Sequence, residues 1–306
     1  GPICFVCFIN DMPDCVQDSL ISMFADDTKL SKPISCPEDA AALQNDLSNI
    51  YQWSIDWQLH FNADKCKVLH LCYKAVDDLK EYHMGYSKLA KTQAEKDLGV
   101  MIDDKLDFSL HVETQVSKAN KLLGLIRRTF IHLDCDNMRR LFIALVRPHL
   151  EYCTVAWRPH SKIDRYKIES VLKRATKLVP ELRHLPYEER LVKMKIPSMW
   201  YRHQRADVIE VWKYQNGLYN ASRPTLKESY GERPRTNTRA ANSGALEKRR
   251  APNNSSTRLN FFSFRAVNLW NSLPPDAMAA KTMNSFKNSV DRHWRAQIYR
   301  TPFGAF

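Results

Sequence analysis

Two adjacent aspartates, Asp26 and Asp27, occur in the segment SLISMFADDTKLS. Side chains suited to opposite faces alternate over residues 20–25, which is typical of a strand, and residues 28–30 can form a second strand. Aspartate is a common turn former, so the pair is expected to separate the two strands. Carboxylates at a chain reversal can face one pocket, whereas neighbours on a straight strand point to opposite sides. The segment therefore predicts a β-hairpin with both carboxylates at its tip.

A pair of carboxylates in this position could bind a divalent cation. Mg²⁺ prefers hard oxygen ligands, and a third carboxylate from elsewhere in the chain could complete a two-metal site. In such a site one ion activates an attacking hydroxyl group and the other neutralises a leaving pyrophosphate. Aspartate pairs also occur in ordinary solvated turns, so these residues by themselves leave both interpretations open.

The elements around the hairpin are predicted to mix α and β structure. Pro37 suits the first turn of a helix, and an amphipathic pattern then continues to about Trp57. Residues 66–73 and 98–102 are short apolar runs of the kind that form strands. The first hundred residues should therefore form an α/β region.

Helical patterns replace strand patterns in the following residues. Strand patterns end at about Ser109, and apolar side chains then recur at alternating intervals of four and three from Val112 to Phe130, which predicts a long amphipathic helix. Further helices are predicted over 136–147, 162–179 and 198–216, the first of them ending near Pro148. Basic residues outside the apolar stripe of the long helix are candidates for binding nucleic acid: Lys118, Lys121, Arg127 and Arg128.

Residues 221–306 differ in composition and hydrophobic pattern from the helical region before them. Residues 221–258 are polar and rich in Arg, Pro, Asn and Ser, which predicts a linker or flexible basic arm. Residues 259–306 contain regularly spaced aromatic side chains and are predicted to form two short helices.

Charge divides the chain into two unequal parts. Residues 1–113 contain 19 Asp and Glu against 10 Lys and no Arg, while the whole chain has a formal net charge of +12. The remaining residues are therefore strongly basic. A basic surface suits a protein that binds the phosphate backbone, and an acidic region suits a site that gathers divalent cations. Many basic surfaces nevertheless have no specific partner.

The eight cysteines fall mostly within apolar runs and are interpreted as buried thiols of a reducing compartment. Cys4 and Cys7 form a CxxC pair, but no second pair lies at zinc-site spacing. The opening segment GPICFVCFIN lacks the features of a signal peptide and is too short to span a bilayer. Neither a zinc site nor membrane insertion is therefore expected.

Five sequence blocks together resemble one protein family. GPICFVCFINDMP followed by FADDTKL resembles the helix end after motif B and then motif C of the reverse transcriptases of non-LTR retrotransposons, the LINE or jockey-like group. In the family's order, WSIDWQLHFNADKCKVLH resembles motif D, and EKDLGVMIDDKLDFSLHV resembles the primer-grip block. VRPHLEYCTVAWRPH and FFSFRAVNLWNSLP resemble later segments, in the thumb region and near the C-terminus.

The resemblance implies a role for each matching residue. Asp26 corresponds to a metal-binding catalytic carboxylate, Asp27 to its partner in the same site, and Phe24 and Ala25 to the support of the hairpin beneath the primer terminus. Lys65 corresponds to the motif D lysine that protonates or neutralises the departing pyrophosphate.

The primer-grip block implies a further contact. Leu98, Gly99 and Val100 occupy its positions, where a glycine permits close approach of the backbone to nucleic acid. Two simpler interpretations remain open: Lys65 could be an exposed lysine at a strand edge, and Gly99 could serve a tight turn between strands.

The resemblance also implies an architecture and a set of partners. It predicts an α/β palm fragment of a right-hand polymerase fold over 1–108 and a helical, basic thumb-like region over 109–220. A basic linker at 221–258 and a small helical segment at 259–306 would follow. The implied cofactor is Mg²⁺ or Mn²⁺. The implied partners are an RNA template, a DNA primer or target and a deoxynucleoside triphosphate, within the nucleus or cytoplasm and away from membranes.

One departure from the family limits the expected activity. Motif A, with the first catalytic aspartate, and motif B lie upstream of Gly1 in the family's order. The chain is therefore expected to be a fragment that is nearly inert alone, because a metal site short of a carboxylate cannot hold both ions. The alternative is a degenerate element remnant that only binds RNA or DNA.

Overall fold

The computed structural model describes residues 1–71, 80–219, 245–246 and 256–302. These residues divide into two compact units. The first comprises Gly1–Asp97 and Ile102–Lys105, and the second comprises Leu98–Met101 and the residues from Leu106 onward. Within the described ranges, every helix is too short or too polar to cross a membrane.

The described residues of the first unit form short strands and two helices. Its helices are α1 (Pro2–Phe8) and α2 (Pro37–Asp56), with 3-10 turns at Met12–Cys15 and Ala63–Lys65. Its strands are β1 (Leu20–Phe24), β2 (Asp27–Ser31), β3 (Lys67–Leu69), β4 (His83–Met84), β5 (Ser87–Lys88), β6 (Ala90–Thr92) and β7 (Ala94–Asp97). The unit boundary falls within the hairpin that β7 forms with β8 (Val100–Asp103). The predicted α/β character of this region is confirmed.

Helix α2 supplies the main packing surface of the first unit. The carboxylate of Asp39 accepts hydrogen bonds from the backbone N–H groups of Ser35 and Cys36, which satisfies free donors at the start of the helix. Ile50 and Trp53 are buried with Ile9 and Met12. The second core of this unit forms around Tyr82, Met84 and Leu89, against which Leu43 and Leu47 of α2 pack.

The predicted burial of the cysteines is wrong. Helix α1 buries none of its residues, although its sequence is apolar throughout. Cys4 and Cys7 are exposed on this helix, and none of the cysteines in the described ranges is fully buried. The physical reason is that a helix has two faces: α1 packs through Phe5, while Ile3 remains on the exposed side.

In the part of the second unit that the structure describes, the regular elements are helices, apart from the residues contributed to β8. Its longer helices are α3 (Ser109–Thr129), α4 (Cys135–Leu141), α7 (Lys162–Lys177), α8 (Tyr187–Met194) and α9 (Met199–Gln215). Shorter helices are α5 (Arg147–Glu151) and α6 (Thr154–Trp157), and the C-terminal helices are α10 (Ser256–Asn260), α11 (Phe262–Asn271), α12 (Pro275–Met278) and α13 (Met283–His293). The predicted change to helical structure is confirmed.

The helix predicted to end near Pro148 continues past it. A π-helical turn over Phe142–Val146 links α4 to α5, and Pro148 lies in the first turn of α5. In the π-helical turn the N–H of Arg147 donates to the carbonyl of Phe142, and this local shift of the hydrogen-bond pattern lets the helix pass a proline, which has no N–H. The chain therefore runs in helical conformation to Glu151.

The C-terminal helices pack onto α9. Trp270 and Phe286 are buried with Trp212, and the rings of Trp212 and Phe286 stack at a centroid distance of 5.8 Å. The indole N–H of Trp212 donates to the carbonyl of Ala280. The two helices predicted around these aromatic residues are confirmed as α11 and α13. Most of the predicted linker at 221–258 lies outside the described residues.

Candidate active-site hairpin and basic surface

The aspartate pair lies at the tip of a tight β-hairpin. Phe24 of β1 pairs with Asp27 of β2, so only Ala25 and Asp26 form the loop. Ala25 has a φ of 52°, in the left-handed region that two-residue hairpin turns use to match the twist of their strands. Both carboxylates belong to exposed residues, which confirms the predicted hairpin. One detail differs: Asp27 is the first residue of β2 and not part of the loop.

The two faces of this hairpin have different environments. Ile21, Met23 and Leu30 pack against the core of the first unit and anchor the hairpin. The opposite face is exposed and includes Phe24, which the resemblance assigned to hairpin support. Phe24 and Asp27 are cross-strand neighbours, so their side chains lie on this same face. The arrangement presents Asp27 to solvent next to an aromatic ring.

The chemistry of the two aspartates fits part of a magnesium site. Mg²⁺ is commonly held by one or two carboxylates, with water and substrate phosphates completing its octahedral shell. Asp26 and Asp27 supply two such carboxylates at the tip of an anchored hairpin. No group of three or more His, Cys, Asp or Glu side chains suited to a metal ion occurs within the described ranges. Further ligands would have to come from other groups.

Lys29 connects the hairpin to a second segment of the first unit. Its ammonium group forms an ion pair with Asp97, the last residue of β7. Lys29 lies two residues after Asp27, on the same exposed face of β2. Sequence reasoning did not single out this pair because its partners are 68 residues apart.

Lys65 ends the 3-10 turn that precedes β3. The side chain of Asn62 accepts a hydrogen bond from the N–H of Asp64 at 3.1 Å and caps this turn. Lys65 is exposed, and no hydrogen bond or ion pair within the described ranges joins it to Asp26 or Asp27. Its proposed proton-donating role remains a prediction.

The segment predicted as the primer grip is a two-residue turn between β7 and β8. Leu98 and Gly99 have φ values of 44° and 86°, the pattern of a type I′ turn. The hydroxyl group of Tyr152 donates to the carbonyl of Leu98 at 2.9 Å. A Cβ atom on Gly99 would lie 3.3 Å from the Tyr152 ring, and Val100 is buried. The tight-turn interpretation accounts for this glycine, and contact with nucleic acid remains a prediction.

Tyr152, which holds the predicted primer-grip turn through its hydrogen bond to Leu98, was not identified from the sequence. It lies within the block VRPHLEYCTVAWRPH, which was singled out only as a segment. The sequence block therefore pointed to this segment, but the sequence alone did not show that Tyr152 contacts the turn at Leu98 and Gly99.

The four candidate basic residues are exposed on α3 and differ in their surroundings. Within the described ranges none of them forms an ion pair. Lys121 and Arg128 line an open groove of about 590 Å³ that runs along the helix. Lys118 and Arg127 do not line it. The groove also includes Lys167 of α7, which sequence reasoning did not select.

Comparison with known proteins relates the chain to polymerases of mobile elements. Its curated homologues are RNA-directed DNA polymerases of non-LTR retrotransposons, which confirms the predicted resemblance. The RNA-directed DNA polymerase from mobile element jockey of Drosophila funebris is 29% identical over 167 residues. That match covers 50% of this chain and 18% of the relative.

Two further relatives support the same relationship. The jockey polymerase of Drosophila melanogaster is 31% identical over 127 residues, covering 39% of this chain and 14% of the relative. The probable RNA-directed DNA polymerase from transposon X-element, also of Drosophila melanogaster, is 22% identical over 191 residues, covering 58% and 20%. The matched regions thus span a fifth or less of these curated relatives. No family model and no solved structure matches the chain.

Proposed function

We propose that this chain contributes half of the active site and a nucleic-acid-binding region to an RNA-directed DNA polymerase of a non-LTR retrotransposon. The observation that carries the proposal is the exposed Asp26–Asp27 pair at the tip of an anchored hairpin. Its occurrence in a chain homologous to such polymerases favours catalysis over an ordinary solvated turn.

The residues of the hairpin have distinct proposed tasks. Asp26 and Asp27 hold a divalent cation, and Phe24 and Ala25 keep the turn beneath the primer terminus. Mg²⁺ or Mn²⁺, when bound, supplies the Lewis acidity that activates the 3′-hydroxyl group and neutralises the leaving pyrophosphate. Lys65 donates a proton or a positive charge to that pyrophosphate.

The remaining regions have proposed roles in binding. Residues 1–108 form the palm fragment, and residues 109–220 form a thumb-like region that binds RNA template and DNA primer or target. Residues 221–258 act as a basic linker, and residues 259–306 form a terminal helical segment. Leu98, Gly99 and Val100 place the primer, and the incoming deoxynucleoside triphosphate binds beside the hairpin. The nucleus and cytoplasm are the proposed sites of action.

Binding without chemistry is the second candidate. It is favoured by the four exposed basic residues on α3 that lack ion-pair partners within the described ranges. Such a remnant needs the basic surface and does not need Asp26 or Asp27. The two candidates therefore differ in their dependence on the aspartates.

Primer extension on an RNA template with Mg²⁺ tests the proposal. The comparison uses the 306-residue chain, a version extended upstream through motif A, and the extended Asp26→Asn variant. We expect extension only by the longer version, and a loss of at least about 100-fold with Asp26→Asn, since removing one transition-state-stabilising group commonly has this effect.

An exposed aspartate outside the regions proposed for catalysis and nucleic-acid binding provides the matched control. Asp276→Asn in α12 removes the same charge and should leave extension unchanged. Polymerisation by the 306-residue chain, or by the extended Asp26→Asn variant, would contradict the assignment of the catalytic carboxylates. Nucleic-acid binding without extension by the longer version would support the second candidate.

A further inference from the structure

The groove along α3 combines polar, charged, apolar and small side chains. It is lined by Glu113, Val116, Ser117, Asn120, Lys121, Gly124 and Arg128 of α3, together with Lys167 of α7, and Glu113 is paired with Lys167. We propose that this groove seats the sugar–phosphate backbone of one nucleic-acid strand, with Gly124 as the point of closest approach. The inference rests on the proposed function in assuming that the chain binds nucleic acid.

Gly124 has no evident role in the packing of the second unit. It lies inside a 21-residue helix, where glycine costs about 1 kcal/mol relative to alanine. A Cβ atom added to it would meet only a guanidinium nitrogen of Arg128, at 3.8 Å, an ordinary contact. Gly99 differs, because the Tyr152 ring lies 3.3 Å from its added Cβ and its φ is positive. The absence of a side chain at Gly124 therefore serves no internal contact. It leaves room for a molecule that binds to the surface of the helix.

The charges along the groove suit a polyanion. Lys121 and Arg128 are seven residues apart, which places them about 10.5 Å apart along the helix axis. That distance corresponds to about three base steps of a strand that rises 3.4 Å per step. Neither cation has an ion-pair partner within the described ranges, so both can contact phosphates without breaking an internal pair.

The remaining polar residues of the groove also suit a sugar–phosphate backbone. Ser117 and Asn120 offer groups of the kind that bond phosphate and sugar oxygens. Lys167 lies at the groove between two carboxylates, with its ammonium group 2.8 Å from Glu113 and 3.0 Å from Asp164. Its charge is therefore partly neutralised, and Lys121 and Arg128 remain the principal phosphate ligands.

The same helix provides a control pair of equal charge. Lys118 and Arg127 are exposed on α3 but lie outside the groove lining. If the groove is a specific binding site, the pair that lines it and the control pair contribute unequally to nucleic-acid binding. A diffuse electrostatic surface predicts equal contributions, because the net charge change is the same.

Fluorescence anisotropy with the 306-residue chain tests this proposal. The probes are labelled single-stranded RNA and DNA of one sequence and their RNA–DNA duplex, each titrated at several salt concentrations. Lys121→Gln with Arg128→Gln should weaken binding by about 10-fold or more and reduce the salt slope by about two phosphates. Lys118→Gln with Arg127→Gln should weaken binding by less than about 3-fold and change that slope little.

A third variant distinguishes the effect of blocking the groove from the effect of removing positive charge. Gly124→Leu fills the groove without changing charge, and leucine favours a helix more than glycine does. We expect thermal stability to be retained or increased while binding falls by about 10-fold. Equal affinity for RNA and DNA would indicate phosphate contacts alone, and a preference for RNA would indicate an added contact with the ribose hydroxyl; both outcomes support the seat.

The opposing outcomes are distinguishable. Wild-type binding with no effect of Gly124→Leu, or with equal losses for the two charge pairs, would overturn the groove while leaving nucleic-acid binding intact. Equal competition by polyglutamate would also overturn it, because the surface would then bind any polyanion. No binding of any probe by the wild-type chain would refute both the groove and the binding region of the proposed function.

Discussion

Two buried histidines illustrate how individual residues depend on their surroundings. His111 of α3 and His203 of α9 both contact the ring of Trp157, at centroid distances of 4.8 and 5.9 Å. Nδ1 of His111 accepts a hydrogen bond from the N–H of Met101, and Nε2 of His203 donates to the carbonyl of Leu150. Burial lowers the pKa of each histidine to about 4. Both rings are therefore neutral near pH 7.

The lowered pKa values predict loss of stability in mild acid. Between pH 6.5 and about 5 the unfolded chain binds protons at both histidines and the folded chain does not, so the free energy of unfolding falls as pH falls. The slope is at most about 1.4 kcal/mol per pH unit for each histidine. His203→Gln keeps a donor for Leu150 and does not titrate, so urea unfolding across this range should show about half of the slope.

An exposed histidine supplies the comparison for this experiment. His132→Gln, at an exposed position, is the matched substitution outside the buried pair. An unaltered slope in His203→Gln would mean that His203 is not held neutral by the fold.

Tight turns determine how the short strands of the first unit are placed. The β4–β5 hairpin turns at Gly85, which has a φ of 58°. A Cβ atom added there would lie 2.5 Å from Cζ of Tyr51 in α2. Glycine is thus required by both the backbone conformation and the contact with α2. Gly217, after α9, also has a positive φ of 68° but has no atom within 4 Å of an added Cβ.

These two glycines predict different costs for the same substitution. Gly217→Ala should cost about 1 kcal/mol, from the left-handed conformation alone. Gly85→Ala should cost about 1–3 kcal/mol more, since the Tyr51 ring or the turn must move. Chemical unfolding of each variant against the wild type measures the difference. Equal costs would show that Tyr51 yields freely and does not fix the hairpin.

The second unit is held together across long sequence separations. The fully buried carboxylate of Asp207 in α9 forms ion pairs with Arg158 and with Arg265 of α11. Arg265 also donates to the carbonyl of Val155 in α6, at 2.6 Å. This arrangement joins the C-terminal helices to α6 and α9 through one carboxylate.

Removing that carboxylate should destabilise the unit strongly. Asp207→Ala leaves two buried guanidinium groups without their partner, and breaking a buried pair in this way typically costs about 3–5 kcal/mol. Glu113→Gln, which disrupts the exposed pair with Lys167, should cost less than about 1 kcal/mol. The measurement is the free energy of unfolding by denaturant. Similar small losses in both variants would indicate that solvent reaches Arg158 and Arg265.

Local features of the sequence were sufficient to predict several elements. The spacing of apolar residues identifies α3, with a predicted last residue one position beyond the observed end, and the strand pattern around Asp26 identifies the hairpin. Motif order identifies the relationship to non-LTR retrotransposon polymerases, which the curated homologues confirm. These features depend on residues that are near neighbours along the chain, and periodicity and turn chemistry act over that range.

Other properties depend on which distant residues meet. Gly99 needs to be a glycine because Tyr152 packs against its turn, and the groove on α3 receives Lys167 from α7. The exposure of a residue also depends on tertiary contacts. The apolar sequence of α1 predicted buried cysteines, but only one face of that helix packs against the rest of the unit. The sequence by itself determined several local elements, including α3 and the hairpin, and the relationship to polymerases of non-LTR retrotransposons. Only the tertiary structure decided how the groove is lined and which charges are paired, because these depend on contacts between residues far apart in the chain.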